Sequence, residues 1–138
     1  MSLKFRNRWW CSALVLTALL ALQSIPAHAQ SRIGQAATVK PEAHANTRQL
    51  APGADVHANE TIRTGTAGAA DLRFIDNTNL SVGPASTVRL DRFVYDPSRG
   101  TGSVTFEASR GAFRFVTGSQ SRGNYRIRTP YGTLGVRG

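Results

Sequence analysis

The residues that first suggest chemistry are two histidines, His44 and His57, four carboxylates, Glu60, Asp71, Asp76 and Asp91, and the arginines of the last third of the chain. A histidine pair binds metal when further ligands follow at a short, regular spacing. His44 and His57 lie thirteen positions apart with no such ligand beside them, and they read as surface polar residues. Paired carboxylates can share acid and base work. Here Asp71 falls on the outward side of an alternating segment, and Asp76 falls in a turn, where aspartate bonds local backbone. The glycines of Thr64-Gly65-Thr66-Ala67-Gly68 could suggest a phosphate loop, but no Lys-Ser/Thr and no helix start follow, so a tight β turn is the reading. No catalytic residue, metal site or cofactor is expected.

The arginines point elsewhere. From Gln30 to Glu107 the chain holds eight basic and eight acidic residues, whereas Ala108 to Gly138 carries Arg110, Arg114, Arg122, Arg126, Arg128 and Arg137 with no acid. An unneutralised face of this kind attracts an acidic surface. Arg114, Arg126, Arg128 and Arg137 are the candidate interaction face, the first three expected on neighbouring strands; Arg137 could instead hold carbonyls of its own turn. Phosphate contacts and base stacking would also use arginines interleaved with aromatics. The interleaving from Phe113 to Arg128 puts the aromatics on the opposite side from the arginines, and nucleic acid is not an expected partner. The expected partner is an envelope or periplasmic protein with an acidic surface, with an anionic envelope polymer or lipid as the alternative. A purely solvating role for the arginines competes with both.

Strands must position these side chains. Helical periodicity is absent beyond residue 30, while clusters of Gly, Asn, Asp, Ser and Pro separate short runs of period two. Ala70, Leu72 and Phe74 alternate with Asp71 and Arg73. Asp76-Asn77-Thr78 turns the chain into Leu80-Ser81-Val82, and Gly83-Pro84 turns it again before Val88 and Leu90. Val104 and Phe106, then Phe113 and Phe115, then Tyr125 and Ile127, continue the inward series, which sends Arg114, Arg126 and Arg128 to water. Residues 40–49 are expected to form an exposed excursion, and Asp96 to Gly102 a surface turn. The fold class is all-β: a single small domain of short antiparallel strands, sandwich- or solenoid-like.

Residues 1–29 read as an export signal. Lys4, Arg6 and Arg8 precede an apolar run, Ser12 to Leu22, that is too short to span a bilayer, and Ala27-His28-Ala29 offers a small-x-small cleavage site. Cleavage leaves one domain, residues 30–138, with no transmembrane segment. The only cysteine, Cys11, departs with the signal, so the domain has no disulfide and no thiol chemistry. Seventeen basic residues less those three leave fourteen against eight acidic ones.

The ordered blocks along the chain resemble one family. They are Gly34 to Val39, Gly53-Ala54-Asp55-Val56, Glu60 to Gly65, Leu72 to Thr78, Leu80 to Pro84, Phe93-Val94-Tyr95, Arg110 to Arg114, Tyr125 to Pro130 and Gly135-Val136-Arg137-Gly138. In this order they are similar to the FecR-type domain. The resemblance implies a small periplasmic all-β domain used for protein contacts. Signalling members carry a transmembrane helix and a sigma-factor-binding region ahead of it; here an export signal stands there, so a free periplasmic or secreted relative is expected, and sigma-factor regulation is not carried over. Family members continue past the final Gly-Val-Arg-Gly, so the domain is expected to be C-terminally truncated.

The leader assignment makes a direct prediction. The mature chain should begin at Gln30, and intact-mass measurement on envelope extract checks it; a mass retaining Met1 would replace export with membrane anchoring.

Overall fold

The computed structural model describes residues 30–135, so the expected leader and Arg137 lie outside the described residues. The strands are β1 (Arg32–Lys40), β2 (Ala43–Ala45), β3 (Arg48–Gln49), β4 (Asp55–His57), β5 (Thr61–Thr64), β6 (Ala69–Phe74), β7 (Asn79–Val82), β8 (Thr87–Asp96), β9 (Thr101–Arg110), β10 (Phe113–Val116), β11 (Tyr125–Thr129) and β12 (Gly132–Gly135). A 3-10 turn at Arg122–Asn124 leads into β11. The all-β expectation holds. Asparagine marks several reversals: Asn46, Asn59 and Asn77 each take a positive φ near 60°, a conformation that its short amide tolerates better than most side chains.

Two sheets form, in the orders β10-β7-β6-β1-β4 and β12-β11-β9-β8-β5-β2-β3. Alternation gives each an apolar face. Ala70, Leu72 and Phe74 of β6 and Leu80 and Val82 of β7 are buried in the first, and Ile62, Val88, Leu90, Val104 and Phe106 in the second. A file of aromatic rings stitches the faces together by alternating between sheets. Phe74 of β6 stacks on Phe93 of β8 at 5.4 Å between centroids and meets Phe106 of β9 at 5.2 Å. Phe106 then meets Phe115 of β10 edge-on at 5.6 Å, and Phe115 meets Tyr125 of β11 at 5.4 Å. Such contacts across both layers make the fold a two-sheet sandwich rather than a solenoid.

Three expectations change. The strands are not all antiparallel, because β11 runs parallel to β9, with Tyr125 opposite Val104 and Arg128 opposite Glu107. Parallel neighbours need a crossover. Here it is β10, which leaves for the other sheet and returns through residues 117–124. Nor are all the strands short: β8 and β9 are ten residues each, and their hairpin runs through Asp96 and Thr101, shrinking the expected surface turn. Residues 40–49 are not an excursion. Ala43 and Ala45 are buried and pair with Thr64 and Ile62, a strand too short and too small in side chain for periodicity to reveal.

The face assignment of β6 predicts a ranking of variants. Phe74→Asp should unfold the domain, since it buries an unpaired carboxylate in place of a ring that touches Phe93 and Phe106, a loss of at least about 3 kcal/mol. Asp71→Ala, on the exposed face, should shift stability by no more than about 0.5 kcal/mol. Circular dichroism melts check the order.

Candidate functional site

The end of the sandwich at which β11 begins is built around Asp76. This residue lies in the β6–β7 turn and is fully buried. Its Oδ1 accepts the Thr78 backbone N–H at 2.9 Å, while Oδ2 accepts both the Tyr125 hydroxyl and the Gln120 amide at 2.9 Å. The Asp76 carbonyl accepts the Ser119 N–H at 2.7 Å and the Ser119 hydroxyl at 3.0 Å. Tyr125 in turn accepts from the Gly118 N–H at 3.1 Å and the Thr78 hydroxyl at 3.2 Å. The sequence reading of Asp76 as a turn residue that bonds local backbone accounts for the Thr78 contact alone. The other bonds reach residues more than forty positions away. A side chain at Gly118 would run into the Asp76 carbonyl, so glycine is what lets the crossover lie against this turn.

Pinned in this way, the crossover delivers β11 and β12. Arg126 and Arg128 project from β11 on the outer face of the seven-stranded sheet, opposite the buried Tyr125 and Ile127. Arg114 projects from β10 on the outer face of the other sheet, opposite Ser81. The structure therefore brings Arg126 and Arg128 together and puts Arg114 on the far side of the sandwich. The expected stripe of three does not form, because side-chain alternation fixes the face of a strand and not the sheet it joins. Arg128 also has acidic company: Asp91 Oδ2 lies 3.4 Å from its Nη1, and Glu107 is its cross-strand neighbour. Among the described residues Arg114 and Arg126 form no salt bridge.

The carboxylates considered from sequence are scattered. Glu60 is buried, 3.2 Å from Arg48, and accepts the His57 backbone N–H at 2.9 Å. Asp71 is exposed on β6, Asp91 serves Arg128, and His44 is exposed on β2. A feature that sequence reading missed lies at the β11–β12 hairpin. Thr129 Oγ1 accepts the Tyr131 N–H and bonds the Gly132 carbonyl, which holds the turn with Tyr131 99% exposed. Beside it Ala108, Ser109, Arg110, Gly111, Phe113, Thr129, Pro130 and Tyr131 line a notch of about 370 Å³. The signal was the Pro-Tyr-Gly turn, whose ring has no inward position in the alternation.

Comparison with known proteins places this architecture. The FecR protein family matches residues 60–138, from the start of β5 onward. The chain belongs to the FecR family. FecR proteins are envelope-associated signalling proteins, so the domain is a signalling-related module. The match omits β1 to β4, yet β1 pairs with β6 along most of its length, and β1 and β4 together complete the five-stranded sheet. No curated protein and no solved structure matches the chain. Among the described residues no helix is long and apolar enough to cross a membrane.

The Asp76 cluster generates a pH prediction. Burial pushes the Tyr125 phenol above its ordinary value, and the Asp76 carboxylate adds to the shift. A raised phenol favours the folded state while neutral, so its contribution is whole below the ordinary tyrosine range near 10 and is lost as pH rises through the folded value. Tyr125→Phe should lower stability by about 1–3 kcal/mol at neutral pH, because it leaves the Gly118 N–H and Asp76 Oδ2 short of a partner. Urea melts from neutral to alkaline pH should show the gap between the two proteins narrowing as pH rises.

Proposed function

We propose that this FecR-family domain is a non-catalytic periplasmic interaction module that binds a protein partner at the β11–β12 end of the sandwich. The observation that carries the reading is the notch between Phe113 and Tyr131. A tyrosine exposed almost completely, held by its own turn and set beside an apolar recess with one arginine at its rim, has the composition of an interface anchor. Exposed Leu134, opposite Ile127 on the core-facing side of the hairpin, adds apolar surface, while Arg126 and Arg128 project from the other face of β11. Family membership supports a signalling role carried by such contacts. Export through residues 1–29 supports the compartment, since the leader pattern would deliver the domain to the envelope.

An anionic polymer or lipid surface would use the arginines differently. It would draw on Arg114 as well as Arg126 and Arg128, and its binding would vanish with salt. The separation of Arg114 from the other two favours the protein partner.

Capture from envelope extract tests this reading, followed by remaking the captured protein and measuring its affinity. Tyr131→Ser should weaken that affinity about tenfold or more without changing the melting curve, and Arg114→Gln should leave it unchanged. Equal affinity for wild type and Tyr131→Ser, or loss of all binding at moderate salt, overturns the assignment.

A further inference from the structure

The turn that follows β5, Thr64-Gly65-Thr66-Ala67-Gly68, walls a recess of about 290 Å³ at the corner where β5, β8 and β9 meet. Its backbone donors are spent. The N–H groups of Gly65 and Gly68 reach the carbonyls of Glu42 and Gly65 at 2.8 and 3.0 Å, and the Ala67 N–H reaches Glu42 Oε2 at 3.3 Å. The floor is committed as well: Thr64 and Ser86 are buried, the Thr64 N–H donating to the Ser86 carbonyl and the Ser86 N–H to Thr64 Oγ1, each at 3.0 Å. Ser86 Oγ accepts the Ala112 N–H at 3.0 Å. Ala85 donates its N–H to the Gly65 carbonyl at 2.9 Å from a φ of 49°, a left-handed conformation that alanine rarely adopts. These bonds fix the shape of the recess and leave its recognition chemistry to side chains.

Strand register brings those side chains together. Arg63 of β5 pairs with Thr87 of β8, and Thr87 pairs with Arg110 of β9. Thr87 points outward because its neighbour Val88 is buried, and residues directly opposite one another share a face. Arg110 reaches that face through a bulge: Val88 pairs with Ala108 and Thr87 with Arg110, so Ser109 is the extra residue. Without it, alternation from buried Ala108 would aim Arg110 at the core. The bulge thus sets Arg63 and Arg110 on either side of Thr87, two strand spacings or about 10 Å apart at their Cα atoms. Both line the recess with Thr66 and Thr87, no carboxylate lines it, and among the described residues neither arginine forms a salt bridge. Composition hid the pair, because Arg63 belongs to the charge-balanced part of the chain and Arg110 to the acid-free part.

We infer that this recess binds a phosphate group, with the two guanidinium forks and the hydroxyls of Thr66 and Thr87 as its donors. A single fork satisfies a planar carboxylate, whereas donors arriving from β5, β8, β9 and the turn suit a tetrahedral anion with more oxygens to fill. Free phosphate and the headgroup of a phosphomonoester lipid present the same chemistry to it. The site stands apart from the notch beside Tyr131 and shares with it only Arg110, which borders both.

Inorganic phosphate, titrated into the full chain at an ionic strength held constant with sodium chloride and followed by NMR of the backbone amides, tests the site. The amides of Arg63, Thr66, Thr87 and Arg110 should shift along one saturable curve. Arg63→Gln should weaken the fitted affinity about tenfold, the loss of one charge-assisted fork, and Arg110→Gln should do the same from the opposite wall. Arg89→Gln removes an equal charge from the outer face of β8 without touching the recess, and it should leave the affinity unchanged. Melting curves check that each variant folds. Equal weakening in Arg63→Gln and Arg89→Gln reduces the effect to net charge and overturns the inference, as do shifts that never saturate or that sodium chloride alone reproduces. Phosphatidylcholine vesicles with and without phosphatidic acid separate the sources. Saturation by inorganic phosphate without vesicle binding assigns a free anion, and vesicle binding that requires phosphatidic acid and is lost in Arg63→Gln assigns a headgroup; both uphold the site.

Discussion

A buried aspartate holds this sandwich in register. Asp76 has no access to water, and among the described residues no lysine or arginine pairs with it; its oxygens are met by hydrogen bonds from Thr78, Ser119, Gln120 and Tyr125. Each donor is an uncharged group, Thr78 from the same turn, Ser119 and Gln120 from the crossover and Tyr125 from the start of β11. A carboxylate in that position tolerates burial only when its lone pairs are filled, and removing one donor leaves a buried acceptor short of a partner at a cost of about 1–3 kcal/mol. The turn between β6 and β7 is thereby locked to the crossover between β10 and β11. That lock joins the two sheets on their polar side, as the aromatic file from Phe93 to Tyr125 joins them on the apolar side. Tyr125 belongs to both: its ring closes the file, and its hydroxyl reaches Asp76.

The lock has a local cost. Gln120 turns its amide nitrogen to Asp76, and its Oε1 is buried with no hydrogen-bond partner. A side chain at Gly102 would meet the Val94 backbone carbonyl first and then this same oxygen, so glycine there serves the close β8–β9 pairing and leaves room for Gln120. One unsatisfied acceptor is a modest loss beside a network that fixes the parallel placement of β11 on β9. Everything distal to that placement, the β11–β12 hairpin and the notch beside Tyr131, inherits its position from Asp76.

The arginine-rich third of the chain takes on a different meaning in this frame. Its acid-free composition describes a sequence segment, and folding divides that segment between two outer faces. Arg114 goes to one sheet, Arg126 and Arg128 to the other, and Arg128 finds Asp91 and Glu107, which lie twenty or more positions earlier. Net charge along a stretch of chain therefore overstates the field at any one surface. What distinguishes the candidate site is the coincidence of Arg110 and Phe113 with exposed Tyr131 around one notch, and this coincidence depends on strand order.

Much of the architecture is local, and the sequence by itself determined that part. Period-two alternation from Ala70 to Phe74, from Leu80 to Val82 and from Tyr125 to Arg128 assigns every one of those side chains to its face, because in a strand the face follows from position alone. Turn chemistry at Asp76-Asn77-Thr78 and the ordered family blocks were equally legible. Only the tertiary structure decided which strands are neighbours and in which direction they run. Alternation carries no information about sheet, partner or polarity, so β2 hid in two alanines, β11 turned out parallel to β9, and Arg114 parted from Arg126. The role of Asp76 was hidden for the same reason: its partners Gln120 and Tyr125 lie more than forty residues away, and no local pattern encodes a contact that exists only after the chain has crossed between sheets.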